Sequence, residues 1–122
     1  MKVEISNGDL VDKLTVLDIK LHKISDGPSL EKVRKEYATL KPLVDSLNVR
    51  ELLLVDLKFI NSEMWNVEDR IREKERTQEF DEEFISLARS AYKNNDRRFK
   101  IKRQINQETS SEIEEQKSYK DI

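Results

Sequence analysis

Apolar residues step along this chain by four and three over most of its length, the spacing that keeps side chains on one face of an α-helix. Leu10, Leu14, Leu17, Leu21 and Ile24 form the first such seam. Ser6 ahead of it, with Asp9 three residues on, predicts an N-cap with negative charge in the first turn. Ser25-Asp26-Gly27-Pro28 predicts a stop. Leu30, Val33, Tyr37 and Leu40 predict a second helix from about Ser29 to Leu40, broken or kinked at Pro42. Leu43, Val44 and Leu47 read as a packed connector, and Asn48 with Glu51 as a second capping pair.

The longest seam is Leu53, Leu57, Ile60, Met64, Val67 and Ile71. It predicts a third helix from Val49 to Arg76, about 40 Å long at 1.5 Å per residue. Leu52, Val55, Phe59 and Trp65 widen its apolar surface beyond what one hairpin partner covers, and that surplus predicts a homo-oligomer. After a turn at Thr77 to Phe80, Phe80 precedes a capping Asp81 and is expected to staple against Ile85. A fourth helix runs from Glu82 towards Asn106, either continuous or interrupted at Asn94-Asn95-Asp96. Residues 2–5 alternate polar and apolar, which makes residues 1–5 a short extended arm. The tail from Gln107 to Ile122 has Ile113, Tyr119 and Ile122 as its anchors, and reads either as a short docked helix or as partly disordered. The expected architecture is all-α: a single domain over residues 1–122, forming an elongated antiparallel helical bundle with one long central helix.

The fourth helix carries an irregularity. Phe84, Ala88 and Ala91 begin a stripe that then meets Asn95, Arg98 or Phe99, Lys102, and Ile105 or Asn106. Buried polar groups cost free energy unless they are paired, so a polar inward stripe predicts a partner, a ligand or a subunit junction.

Composition narrows the classes. Charged residues make up 39% of the 122 and apolar ones 36%, yet the net charge is only −2, so self-repulsion does not predict disorder. Near-neutrality also argues against a general nucleic-acid binder. Without cysteine there is neither a disulfide framework nor a thiolate metal site. The longest apolar run, Leu52 to Val55, falls far short of the roughly 20 residues that span a bilayer. The first residues lack a signal-peptide core. A cytoplasmic protein is expected, with no metal and no cofactor.

Three polar runs are candidate chemistry. In Glu68 to Arg76, Glu68 pairs with Arg72 at i,i+4, which alone reads as a solvated charge ladder. Where the third seam runs out after Ile71, Arg72 and Glu75 are placed to turn inward. In the second run, Arg89, Tyr92 and Asp96 share a face within about two turns, offering a bidentate cation, a hydroxyl and a carboxylate for a phosphate, a carboxylate or a sugar hydroxyl. Lys102 and Asn106 extend that face. The third is the basic cluster Lys93, Arg97, Arg98, Lys100, Lys102 and Arg103, which Glu108, Glu112, Glu114 and Glu115 can fold back to neutralise. The single histidine, His22, sits one turn after Asp18 and reads as a surface residue.

The stretch Ile5-Ser6-Asn7-Gly8-Asp9-Leu10-Val11-Asp12-Lys13-Leu14-Thr15-Val16-Leu17-Asp18-Ile19-Lys20 resembles the opening of a small helical family of bacteria and phages. The resemblance continues through Ile71 to Glu75, Phe80-Asp81-Glu82-Glu83-Phe84, Leu87 to Tyr92, Asn95-Asp96, Lys102, Ile105-Asn106 and Glu115 to Tyr119, leaving Gly27 to Leu47 variable. The family carries no assigned activity, and in bacteria it is met near surface-sugar genes. The resemblance implies that the polar positions above are family features, and it adds Asp9, Lys13 and Lys20 as neighbours of the site.

The expected function is a non-enzymatic helical homo-oligomer that holds a small anionic ligand, a nucleotide or sugar phosphate, between its helices. Arg72, Arg89 and Lys102 are expected to contact the anion, Tyr92 to stack or donate, and Asn95, Asp96 and Asn106 to read polar edges. Glu75, Lys13 and Lys20 border the set. In a phage, such a chain would sequester a host nucleotide signal. The alternatives are a coiled-coil adaptor whose polar seam fixes register and a chorismate-mutase-like helical enzyme.

Overall fold

A computed structural model describes residues 1–118. Four helices account for about three quarters of it: α1 (Asn7–Lys23), α2 (Gly27–Asp45), α3 (Glu51–Thr77) and α4 (Glu82–Glu108). The fold is an all-α antiparallel bundle, and no strand occurs among the described residues. Two helices rather than one carry the length, since α3 and α4 each have 27 residues. They pair as a hairpin about 40 Å long. Arg50 reaches Glu108 at 2.6 Å at its open end, and Arg70 reaches Glu83 at 2.7 Å near its turn.

Local chemistry sets the ends. Ser6 Oγ accepts the Asp9 N–H at 3.0 Å, Asp26 accepts from Ser29 at 2.9 Å, and Asp81 accepts from Phe84 at 3.0 Å. Each cap satisfies a donor that the first helical turn leaves without a partner. Asn48 does not cap α3. It adopts a left-handed φ of 53° in the turn, and Arg50 occupies the cap position without a side-chain bond. Nor does Phe80 staple Ile85, which stays exposed; Phe80 packs edge-on against Phe84 at 5.2 Å between ring centroids.

Pro42 does not end α2, which continues to Asp45 and absorbs the expected connector. The proline removes one N–H and leaves the Ala38 carbonyl short of a bond. Both residues are exposed, so water can take that place. Helix α4 is continuous through Asn94-Asn95-Asp96. Tyr119 and Ile122, two of the three expected tail anchors, lie outside the described residues.

The core gathers at the open half of the hairpin, where Val11 and Leu14 of α1 and Val44 of α2 meet Leu53, Leu57 and Ile105. Burying one such side chain contributes about 1.5–3 kcal/mol, and Leu57, fully buried, is its centre. Leu57→Ala is the single change expected to open the bundle, at about 2–5 kcal/mol. Helix α2 lies along α1, and α1 crosses both hairpin helices. Beyond α1, Met64, Val67, Ile71, Leu87 and Ala91 are only half-buried. None of the described helices is long and apolar enough to cross a membrane.

Candidate functional site

The polar stripe of α4 does turn inward, and it meets α1 there. Gly8 donates its N–H to Asn106 Oδ1 at 2.6 Å. A β-carbon on Gly8 would stand 2.5 Å from the Lys102 carbonyl oxygen, so only glycine lets the two helices approach this closely. One turn on, Asp12 is 6% exposed and takes three bonds. Asn61 of α3 donates to its Oδ1 at 2.8 Å, Arg98 Nε donates to the same oxygen at 2.9 Å, and a second Arg98 nitrogen donates to Oδ2. This two-pronged pairing raises the Arg98 pKa, the bond to Asp12 outweighing the opposing effect of burial.

Lys102, 8% exposed, lies between Asp9 of α1 at 2.8 Å and Glu115 of the tail at 3.0 Å. Burial pushes its ammonium down, but the bonds to the two carboxylates prevail and hold it above the ordinary lysine value. The tail is fixed at two further points. Ser111 Oγ accepts the Asn7 N–H at 3.0 Å, and Lys117 pairs with Asp96 while its ammonium stands 5.4 Å from the centre of the Phe99 ring. Between tail and helix lies a cavity of about 270 Å³ lined by Asn95, Arg98, Phe99, Lys102, Glu115, Gln116, Lys117 and Ser118.

Of the residues singled out in the sequence, Asn95, Arg98, Phe99, Lys102 and Glu115 share this cavity and Asp96 borders it through Lys117. Asn106 lies beneath, committed to Gly8. The others lie elsewhere. Arg72 is exposed on its i,i+4 partner Glu68 at 3.4 Å, lining a separate groove with Trp65. Glu75, Arg89 and Tyr92 are exposed, Lys20 sits half-exposed in the last turn of α1, and Lys13 pairs with Glu36 at 3.4 Å. The stripe departs from its expected course at two positions: Leu87 is half-buried and Ala88 exposed, and Asn94 is buried where Asn95 was expected.

Of the four glutamates expected to fold back on the basic cluster, Glu115 reaches Lys102 and Glu108 instead takes Arg50. Sequence reasoning missed Gly8, Asp12, Asn61 and Lys117. The available signal was interruption of apolar seams: Asp12 sits between Val11 and Leu14, and Asn61 follows Ile60.

A second charged cluster closes the hairpin turn. The buried Lys74 ammonium touches Glu79, Asp81 and Glu83 at 3.2, 2.8 and 2.9 Å. These bonds, Asp81 foremost, raise the Lys74 pKa, and the bond to Lys74 lowers each of the three carboxyls. Together with Gln78 in the left-handed conformation at φ 57°, the cluster ends α3 and starts α4.

Fold and site together define a class: a small all-α protein built on a long antiparallel hairpin, with an ion-pair network where α1 meets α3 and α4. The chain belongs to a family of unknown function, DUF6165, which matches residues 1–122. No curated protein and no solved structure matches it.

Proposed function

We propose that the chain is a non-enzymatic cytoplasmic binder of a small phosphorylated ligand, working as a homo-oligomer, with the ligand seated between α4 and the tail. The observation that carries this reading is the convergence of Arg98, Lys102 and Lys117 on one polar cavity of about 270 Å³. Two cations from α4 and one from the tail, facing each other across the cavity, suit an oxyanion. Asn95, Gln116 and Ser118 add neutral donors and acceptors.

Local charge favours a sugar phosphate over a polyphosphate. Asp9, Asp12, Asp96 and Glu115 already pair with the three cations, and Glu115 lines the cavity itself, so little positive charge is left for a ligand that adds its own negative charge. One phosphate can take the place of Glu115 at Lys102, while sugar hydroxyls donate to the carboxylates that stay. In a phage, the same chemistry would serve to sequester a host nucleotide signal, the ligand then being a monophosphate.

Isothermal titration of the purified chain with glucose 1-phosphate, adenosine monophosphate and inorganic phosphate tests the reading. Binding of the sugar phosphate that is lost in Lys102→Met, with the helical circular dichroism unchanged, supports it. Heats indistinguishable from dilution for all three ligands sink it. The network's internal completeness favours a second reading, an interaction protein in which the polar seam sets helix register. That reading gains if no ligand binds.

A further inference from the structure

The face of the α3–α4 hairpin that α1 leaves open carries its own chemistry. Leu52, Val55 and Phe59 recur at helical spacing on α3 and are all exposed, Phe59 by 59%. Beside them Phe59, Ile60 and Ile101 line a shallow apolar groove of about 320 Å³, whose walls come from α3 and α4 only. Charges rim it unevenly: Asp56 on the α3 side, Arg97 and Lys100 on the α4 side. Elsewhere on this molecule opposite charges find each other repeatedly, yet none of these three enters an ion pair among the described residues.

We infer that this face is the seat of a second copy of the same chain, packed about a two-fold axis. The inference deepens the oligomer half of the proposed function and rests on it for the expectation of self-association. A two-fold interface must be complementary to itself, each patch meeting its own image. A patch with an acid on one edge, bases on the other and an apolar centre meets that condition. Rotation sets Asp56 of each copy against Arg97 and Lys100 of the other, and Phe59 and Ile101 close over the shared groove. Two hairpins back to back form a four-helix core, with each α1–α2 pair on its outside. Pairing along the whole hairpin, two helices about 40 Å long and 10 Å wide, covers about 800 Å², the usual share of one partner in a stable complex, with the apolar groove as its dry centre at the open half.

Sedimentation equilibrium of the full chain tests this. The expected species is a dimer of twice 14.5 kDa. Phe59→Glu, at an exposed position, leaves the helical circular dichroism intact and weakens dimerisation by at least about tenfold. Asp56→Lys and the double variant Arg97→Glu/Lys100→Glu each self-associate poorly, because like charges then face each other. Mixed together they form heterodimers, since both edges become complementary again. A wild-type chain that stays monomeric overturns the inference and leaves the face to a partner of another sequence. So does a dimer indifferent to Phe59→Glu, or a mixture that fails to form heterodimers. Titration of the Phe59→Glu chain with glucose 1-phosphate separates the two proposals, because the ligand cavity lies apart from this groove.

Discussion

Gly8 and Asn106 hold α1 against α4 through a single 2.6 Å bond from backbone N–H to side-chain oxygen. Gly8 is in the first turn of α1, where an N–H has no partner within the helix, and it is buried. Asn106→Ala leaves that donor dry and unpaired, at a cost of about 1–3 kcal/mol. Gly8→Ala gains up to about 1 kcal/mol of helix propensity. It loses more to the new methyl, which meets the Lys102 carbonyl, a backbone atom that cannot swing away. Both variants are expected to lower the unfolding free energy, Gly8→Ala by about 1–3 kcal/mol net, read as a fall in the urea midpoint. A Gly8→Ala midpoint at or above wild type would show that α1 can withdraw from α4 without loss.

The Asp12 carboxylate ties three helices together, so its removal is expected to cost more than its replacement with its partner. Asp12→Ala strands Arg98 near a buried surface and frees Asn61. The expected loss is about 3 kcal/mol, the lower end for breaking a buried pair, because the Arg98 side chain keeps 27% of its exposure. Asp12→Leu combined with Arg98→Met removes both charges and should recover at least half of it. A double-mutant cycle by chemical denaturation measures this directly. A coupling near zero would mean that the network does not act as a unit.

Much of the fold was legible because it rests on periodicity. The seams through Leu14 and Leu17 and through Leu53, Leu57 and Ile60 are buried as their spacing requires. Ser6 and Asp81 cap the helices they precede. The misreadings share a cause, local rules outweighed by surroundings. Pro42 breaks helices where its orphaned carbonyl is buried, and here it is on an exposed face. Asn48 had the residue type of a cap, but the chain needed a left-handed residue at that point.

The site was less legible because it is not local. Lys102 and Asn106 announced themselves by interrupting a stripe. Which acids answer them depends on α1 crossing α4 and on the tail returning over 102, and no spacing along the chain encodes either. The 3.6-residue repeat lets the inward face fall on either of two neighbours at each turn, and at Asn94 and Asn95 it fell on the first.

The Glu115 carboxylate occupies Lys102 as a ligand's phosphate would, which makes it a built-in competitor. Glu115→Gln keeps the tail's size and removes one negative charge from the cavity. Affinity for glucose 1-phosphate is expected to rise about three- to tenfold, a gain that shrinks at high salt because the site is partly open. The Lys102 ammonium, losing one of the two bonds that raise it, should move down. Calorimetry at two salt concentrations, with an NMR titration of Lys102, reads both effects. Unchanged affinity together with a lowered Lys102 pKa would place the ligand away from this lysine.

The open end of the hairpin carries a pH-sensitive contact. Arg50 donates twice to Glu108, at 2.6 and 2.7 Å, and Gln104 adds a third bond at 2.6 Å. The bond to Arg50 leads in lowering the Glu108 pKa from the ordinary 4.5 to about 2. Between those values the unfolded chain holds a proton that the folded chain has released. Stability from this pair is therefore complete above about pH 4.5 and is lost as pH falls towards 2. Arg50→Ala should return the Glu108 carboxyl towards 4.5 in a carbon-detected NMR titration and flatten the acid limb of stability in that window. The Lys74 cluster at the other end obeys the opposite sign on its cation. Its raised pKa gives stability that is present below the ordinary lysine value and lost only as pH rises through the folded one. Acid should thus loosen the Arg50 end through Glu108 in wild type but not in Arg50→Ala, a contrast that amide exchange at Glu108 and Thr109 can follow. Equal acid sensitivity in both proteins would assign the loss to carboxylates elsewhere, with Glu79, Asp81 and Glu83 the first to examine.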